Sequence, residues 1–173
     1  GARDHWCRER DRIVAWVNGE ALHADGFYPQ FAGSDDVDAA LLIAPMVGFP
    51  VDERAFGRTV DRIIAALGHG PLVYRYRSDD GLPGHEGTFL ICAFWLVDAL
   101  AWLGREEEAR TRFATLRALQ NDVGLFAEEV AEDMTFLGNF PQAFSHLAFI
   151  HSALVLDLLA HGGREAVAGT YAD

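Results

Sequence analysis

Two kinds of apolar pattern alternate along the chain. Residues 3–19 place Trp6, Ile13, Val14 and Val17 on one stripe, with Arg8, Glu9 and Arg12 elsewhere, which predicts a helix with one wet face. Residues 36–47 follow a different rule: after Asp36 and Asp38 the run from Ala39 to Val47 is apolar on every side, predicting a helix buried all round. The alternation then repeats. Residues 53–68 are amphipathic through Phe56, Val60, Ile63, Ile64 and Leu67, and residues 86–103 are apolar nearly throughout. A third outer helix, 105–120, opens with Glu106, Glu107 and Glu108, where the helix dipole favours negative charge, and carries Phe113, Leu116 and Leu119. A third inner helix is expected over 141–161, with Pro141 in its first turn and Gly162-Gly163 as its stop.

The pattern is all-α: three outer and inner pairs, repeating about every 50 residues, read as helical hairpins. Connections from outer to inner helices are long (20–35, 69–85, 121–140), whereas those from inner to outer are short (48–52 and Gly104). Antiparallel helices would gather the three long loops at one end, where a rigid scaffold usually carries function. An open solenoid seldom holds inner helices without a polar face, so a closed ring explains them better. A ring of this kind closes with six pairs. The expectation is therefore half of an (α/α)6 toroid, a single partial domain over residues 1–173.

Composition narrows the function. A chain of 173 residues, half of them apolar, suits one domain with a substantial core. Against 14 Lys and Arg stand 26 Asp and Glu, a formal charge of -12 that repels phosphate backbones and anionic lipid. No nucleic acid is expected as partner. The 86–103 run is long enough to span a membrane, but Glu86, Asp98 and its aromatics fit a packed core better, so no membrane is expected either. Cys7 and Cys92 fall in different predicted helices without metal spacing and read as reduced core residues. His146 and His151 are five apart, which does not align them as a zinc pair, and no phosphate-binding loop follows a strand. No metal or cofactor is expected. Nothing resembles an export signal, which gives a cytoplasmic expectation. The opening Gly1-Ala2, without methionine and almost at once helical, suggests a segment cut from a longer chain.

The long loops carry the chemistry. In order they read Phe31-Ala32-Gly33-Ser34-Asp35-Asp36-Val37-Asp38-Ala39; Val73-Tyr74-Arg75-Tyr76 leading to Asp79-Asp80-Gly81-Leu82-Pro83-Gly84-His85-Glu86-Gly87-Thr88-Phe89; then Leu125-Phe126-Ala127-Glu128-Glu129-Val130 and Gly138-Asn139-Phe140-Pro141-Gln142-Ala143-Phe144-Ser145-His146. These motifs, in this order and spacing from near Trp6 to near His161, resemble glycoside hydrolase family 15, the glucoamylases and their bacterial relatives including trehalases. The resemblance implies an (α/α)6 barrel, inverting hydrolysis of α-glucosidic bonds, and an α-glucoside or oligosaccharide substrate. It also places Glu128 at the general base. The physics agrees, because an inverting enzyme needs a carboxylate to activate water about 6.5–9.5 Å from an acid across the scissile bond, and the two must come from different loops of one mouth. Without the resemblance, Glu128 reads as one more solvated loop carboxylate near Glu129, Glu132 and Asp133.

Arg75 matches an arginine that contacts the terminal sugar in that family, its planar fork of donors suiting sugar hydroxyls; the alternative is a salt bridge to Asp79 or Asp80. Tyr76 either stacks on a sugar face or lines the core. Glu129 reads as a neighbour that tunes or binds. Glu86 is expected to hold substrate or loop, since a helix start favours its charged form and disfavours a role as acid. The family's acid lies in a tryptophan-glutamate motif absent from this chain. Two expectations follow: negligible hydrolysis by the chain alone, and a missing N-terminal half of the barrel or a homodimer partner to cover exposed inner helices. The alternative function is a noncatalytic helical-hairpin module that binds a partner, or itself, through its inner face. The stretch Ala131-Glu132-Asp133-Met134-Thr135 departs from the family pattern and bears on substrate choice.

Overall fold

Helices dominate, in a computed structural model that describes residues 1–78, 81 and 87–171. They are α1 (Ala2–Val17), α2 (Glu53–Leu67), α3 (Leu90–Trp102), α4 (Glu106–Arg117) and α5 (Ala143–Gly169). Two short 3-10 segments, Ala39–Ile43 and Pro45–Val47, separate α1 from α2. Two-residue strands tie the loops: β1 (Gly68–His69) with β2 (Leu72–Val73), and β3 (Thr88–Phe89), β4 (Glu129–Val130) and β5 (Phe136–Leu137) in a small antiparallel sheet. The all-α class holds.

The core forms around α3, whose apolar run leaves no polar stripe and therefore needs apolar neighbours on all sides. It finds them in α4, α5, the first 3-10 segment and β2. Phe94 meets Phe113 of α4, Phe126 of the following loop and Phe149 of α5 edge-on, with ring centroids 6.3, 5.6 and 5.9 Å apart. On the outer side, Asp52 caps α2 by accepting the Ala55 N–H (2.8 Å), and Phe56, Val60, Ile63 and Leu67 bury the predicted face. Helices α2 and α4 end, and α3 and α5 begin, at one rim. There Arg112 of α4 reaches the Gly70 carbonyl, and the first residue of α3, Leu90, donates to the Glu128 carbonyl at 3.1 Å.

Several expected elements take another form. The inner helix over 36–47 is replaced by the two 3-10 segments, of which only Ala39, Leu42 and Pro45 are buried. Pro45 lacks an N–H and its ring opposes the carbonyl four residues back, and Gly48, at φ 75°, ends the second turn in the left-handed region. Helix α1 forms, but none of its residues is buried: Trp6, Ile13 and Trp16 stand exposed. Cys7 is accordingly part-exposed, not a core residue.

The segment 20–35 does not arch over the rim. Asn18 at the end of α1 bonds Pro50 and Asp52 at the start of α2, which is the opposite end of the bundle. From there the chain climbs α2. Tyr28 N–H donates to Thr59 Oγ1 (2.8 Å), Arg58 Nε to the Gly26 carbonyl (2.9 Å) and Arg62 Nη2 to the Asp35 carbonyl (3.3 Å). Phe27, Tyr28 and Val37 are buried along this path, so apolar burial, not the length of the connection, sets its course. Only Asp38, three residues past its end, arrives at the rim.

Helix α5 breaks at Gly163 (φ 64°, ψ -169°), where a stop was expected, but resumes to Gly169. It starts at Ala143, so Pro141 stands two residues outside it. One face packs on α3 and α4 through Ala148, Val155, Leu156 and Leu159, while Phe144, Leu147, Ile150, Leu154 and Leu158 form an exposed stripe. By length and composition α5 could cross a membrane, whereas the run flagged in sequence, α3, has 13 residues.

Candidate active site

Three successive carbonyls fasten the loop before β4 to the starts of both inner helices. That of Phe126 accepts the Gln142 N–H (3.0 Å), that of Ala127 the Ser145 hydroxyl (2.7 Å) and that of Glu128 the Leu90 N–H (3.1 Å). The Phe126 N–H donates to His146 Nε2 (3.3 Å), which leaves Nδ1 to carry the ring proton and donate to the Gln142 carbonyl (2.7 Å). His146 is thus a hydrogen-bonded part of the scaffold. The Phe126 ring, fully buried against Phe94 and Phe149, is the apolar counterpart of these polar ties.

The small sheet then separates the two adjacent glutamates. Neighbouring residues entering a strand point to opposite faces, so Glu128 and Glu129 face opposite ways. Glu128 is half-buried, and its Oε2 accepts both the backbone N–H (2.9 Å) and the side-chain Nδ2 (2.8 Å) of Asn139. Glu129 turns the other way. Its Oε2 accepts the Gly87 N–H (2.8 Å), which joins the loop before β3 to β4, and Thr88 Oγ1 strengthens the same seam by donating to the Val130 carbonyl (2.7 Å).

Arg75 lies on the same rim. Its Nε donates to Asp38 Oδ1 at 2.5 Å, and that oxygen also accepts the Ala40 N–H (2.7 Å), while the Arg75 carbonyl accepts the Ala39 N–H (2.8 Å). The Asp38 hydrogen bond lifts the guanidinium pKa further above its ordinary value. Among the described residues the salt-bridge partner is Asp38; the alternatives named from the sequence, Asp79 and Asp80, lie outside the described residues. Tyr76 follows Arg75 and is half-buried. Glu86 also lies outside the described residues.

The departing stretch Ala131–Thr135 is the turn between β4 and β5, closed by Ala131 N–H to the Thr135 carbonyl (2.9 Å), with Met134 at φ 69°. Glu132 at this turn accepts the Tyr74 hydroxyl (2.8 Å), joining the second long loop to the third. Phe136 and Phe140 stack nearby, 5.8 Å between centroids. The described part of 69–85 thus meets the loop 121–140 at one rim, joined there by Asp38. Asp38, Phe126, Gly138 and Asn139 were assigned no role from sequence. The one local signal was Gly138, a glycine ahead of a polar residue where a left-handed turn is expected.

Helical hairpins, with the later two of the three long connections meeting at one rim, define the class, a fold shared with glycosidases. A solved variant glycosidase superposes with a TM-score of 0.69 at 22% identity, over 85% of this chain and 43% of that one. A wild-type glycosidase gives 0.59 at 19% identity, over 94% and 42%. The family model described as glycosyl hydrolases family 15 matches residues 1–154, and the chain belongs to that family. A trehalase of Thermoplasma volcanium is 43% identical over 156 residues, covering 88% of this chain and 25% of the relative. A trehalase of Mycolicibacterium smegmatis is 41% identical over 155 residues, covering 86% and 23%, and one of Mycobacterium tuberculosis is 38% identical over 154 residues, covering 86% and 23%. The chain spans about a quarter of the length of these curated relatives.

Proposed function

We propose that this chain is the base-bearing part of an inverting α-glucosidic hydrolase whose substrate is a small glucoside of the trehalose kind. The observation that carries the reading is the setting of Glu128: a half-buried carboxylate on a loop fastened to the starts of two inner helices, with one oxygen bound and the other accepting from none of the described residues. In this reading a water molecule gives its proton to Glu128 Oε1 as its oxygen bonds to the anomeric carbon. The glycosidic C–O bond breaks, its oxygen takes a proton from a carboxylic acid supplied from outside this chain, and the configuration inverts. Arg75 and Tyr76 hold the terminal sugar. Arg75 is oriented for this by Asp38, Glu129 tunes the subsite by holding Gly87 of the neighbouring loop, and Glu86 holds substrate or loop.

The rest of the catalytic domain covers the exposed stripe of α5. A second reading, a noncatalytic module joined to its own copy through that stripe, is favoured by the same exposed Leu147, Ile150 and Leu154. Full-length protein carrying Glu128→Gln separates the two. Turnover of trehalose or other α-glucosides is expected to fall by about 10²- to 10⁴-fold or more, with the fold retained. The chain alone is expected to hydrolyse negligibly and to bind an apolar dye. Wild-type turnover by the Gln variant excludes the base role, and a stable dimer in place of any hydrolysis by the full-length protein establishes the second reading.

A further inference from the structure

Asn139 makes three hydrogen bonds with Glu128: two donated to Oε2, and its carbonyl accepting the Glu128 N–H at 3.0 Å. Strand register explains how the side chain reaches it. Glu129 pairs with Leu137 and Val130 with Phe136, so the next rung sets Glu128 opposite Gly138. Facing side chains on an antiparallel pair share a face, with Cβ atoms about 4.5–5.5 Å apart. With no side chain at 138, Glu128 folds across that rung onto Asn139. A Cβ at Gly138 would come within 2.8 Å of Oε2 and 2.9 Å of the Cβ of Glu128, and Gly138 has φ 69°, a conformation that glycine adopts without steric cost. Two independent constraints, space and backbone, therefore reserve position 138 for glycine.

We infer that Asn139 positions the Glu128 carboxylate, holding Oε2 so that Oε1 alone receives the proton from water, in the space that Gly138 leaves open. This rests on the reading of Glu128 as base. A glutamate side chain has three rotatable bonds, and an unheld carboxylate spreads its oxygens over many orientations of which few face the attacking water. Asn139 acts through Glu128 and is a positioning residue.

The test uses full-length protein, with kinetics on an α-glucoside and melting temperature measured alongside. Asn139→Ala is expected to lower kcat about 10- to 100-fold with KM little changed, the signature of an interaction felt only at the reacting centre. Asn139→Asp keeps the size but sets one carboxylate against another, so its kcat is expected below that of Asn139→Ala at neutral pH, with the gap closing in acid. A packing role would rank the two the other way. Gly138→Ala is expected to lower kcat as Asn139→Ala does. In Glu128→Ala with activity restored by azide, adding Asn139→Ala is expected to change nothing, because no carboxylate is left to hold. Should the Asn139 variants fail to fold, NMR decides: the Asn139 amide protons are expected to move upfield in Glu128→Gln, and unchanged shifts overturn the inference. So does Asn139→Asp matching or exceeding Asn139→Ala, or a further loss in the azide-rescued background. Wild-type turnover by Glu128→Ala removes the base reading itself, whereas a dead Glu128→Ala beside a fully active Asn139→Ala removes only the positioning role.

Discussion

The Cys92 thiol lies beneath the rim, close enough to Arg75 and Asp38 to feel both charges, and burial pushes its pKa up to about 12. At any ordinary pH it is a thiol, and thiolate is the reactive form. Cys7 sits part-exposed on α1. In native protein at pH 8 a thiol reagent is expected to label Cys7 and spare Cys92, with both reacting after unfolding. Native labelling of Cys92 at the rate of Cys7 would falsify its placement under the rim. Arg75 shows how one residue serves two ends: its carbonyl and Nε fasten the segment from Asp38 to Ala40. Lysine offers no planar fork, so Arg75→Lys is not conservative here.

At the scale of elements, the turn between β4 and β5 contains a strained residue. Met134 holds φ 69°, which costs an L-residue with a bulky side chain about 1 kcal/mol or more. Met134→Gly is expected to raise stability by up to about 1 kcal/mol, read by urea denaturation of the chain; no gain, or a loss, contradicts the assigned turn. The loop before β4 depends on a different device, the Phe126 ring wedged between Phe94 and Phe149. Phe126→Ala is expected to destabilise by about 3–5 kcal/mol, because the cavity falls inside a close-packed aromatic cluster. A loss under about 1 kcal/mol would place the ring outside that core.

Across the whole molecule, α3, α5 and the C-terminal segment are joined by a polar chain inside the apolar contact. Asp98 is buried; its Oδ2 lies 2.8 Å from His151 Nδ1, and His151 Nε2 lies 3.0 Å from the Tyr171 hydroxyl. The Asp98 hydrogen bond raises the His151 pKa, burial raises that of Asp98, and burial lifts Tyr171 to about 12 so that the phenol stays neutral. Both shifts of the Asp98 and His151 pair have one sign: the folded state binds the proton more tightly than the unfolded chain. The part owed to His151 is therefore complete below the ordinary histidine pKa of about 6.5 and is lost as pH climbs through its raised folded value, while the raised Asp98 pKa adds a loss of the same sign that begins at the ordinary carboxylate pKa of about 3.9. The urea midpoint is expected to fall between pH 5.5 and 8.5 in wild type and to fall less in His151→Gln. Equal slopes in both proteins would remove the pair as the source.

The sequence by itself determined what depends on neighbours along the chain. Periodicity set α2 to within one residue and α3 and α4 to within four, because burial of a helix face leaves its mark every three or four positions, and loop motifs in a fixed order marked the family and made Glu128 the candidate base. What depends on partners distant in sequence was decided only by packing. Nothing local told that 20–35 would climb α2 or that α1 would keep its apolar stripe exposed, whereas Pro45 and Gly48 are local signals against a continuous helix over 36–47. Arg75 and Asp38 are 37 residues apart and Glu128 and Asn139 are 11 apart. The first pair exists because the loop after α2 meets the first 3-10 segment, the second because β4 pairs with β5. Sequence named Glu128 and Glu129 as neighbours; strand alternation turned one toward Asn139 and the other toward Gly87, since the direction of a side chain belongs to the sheet and not to the residue.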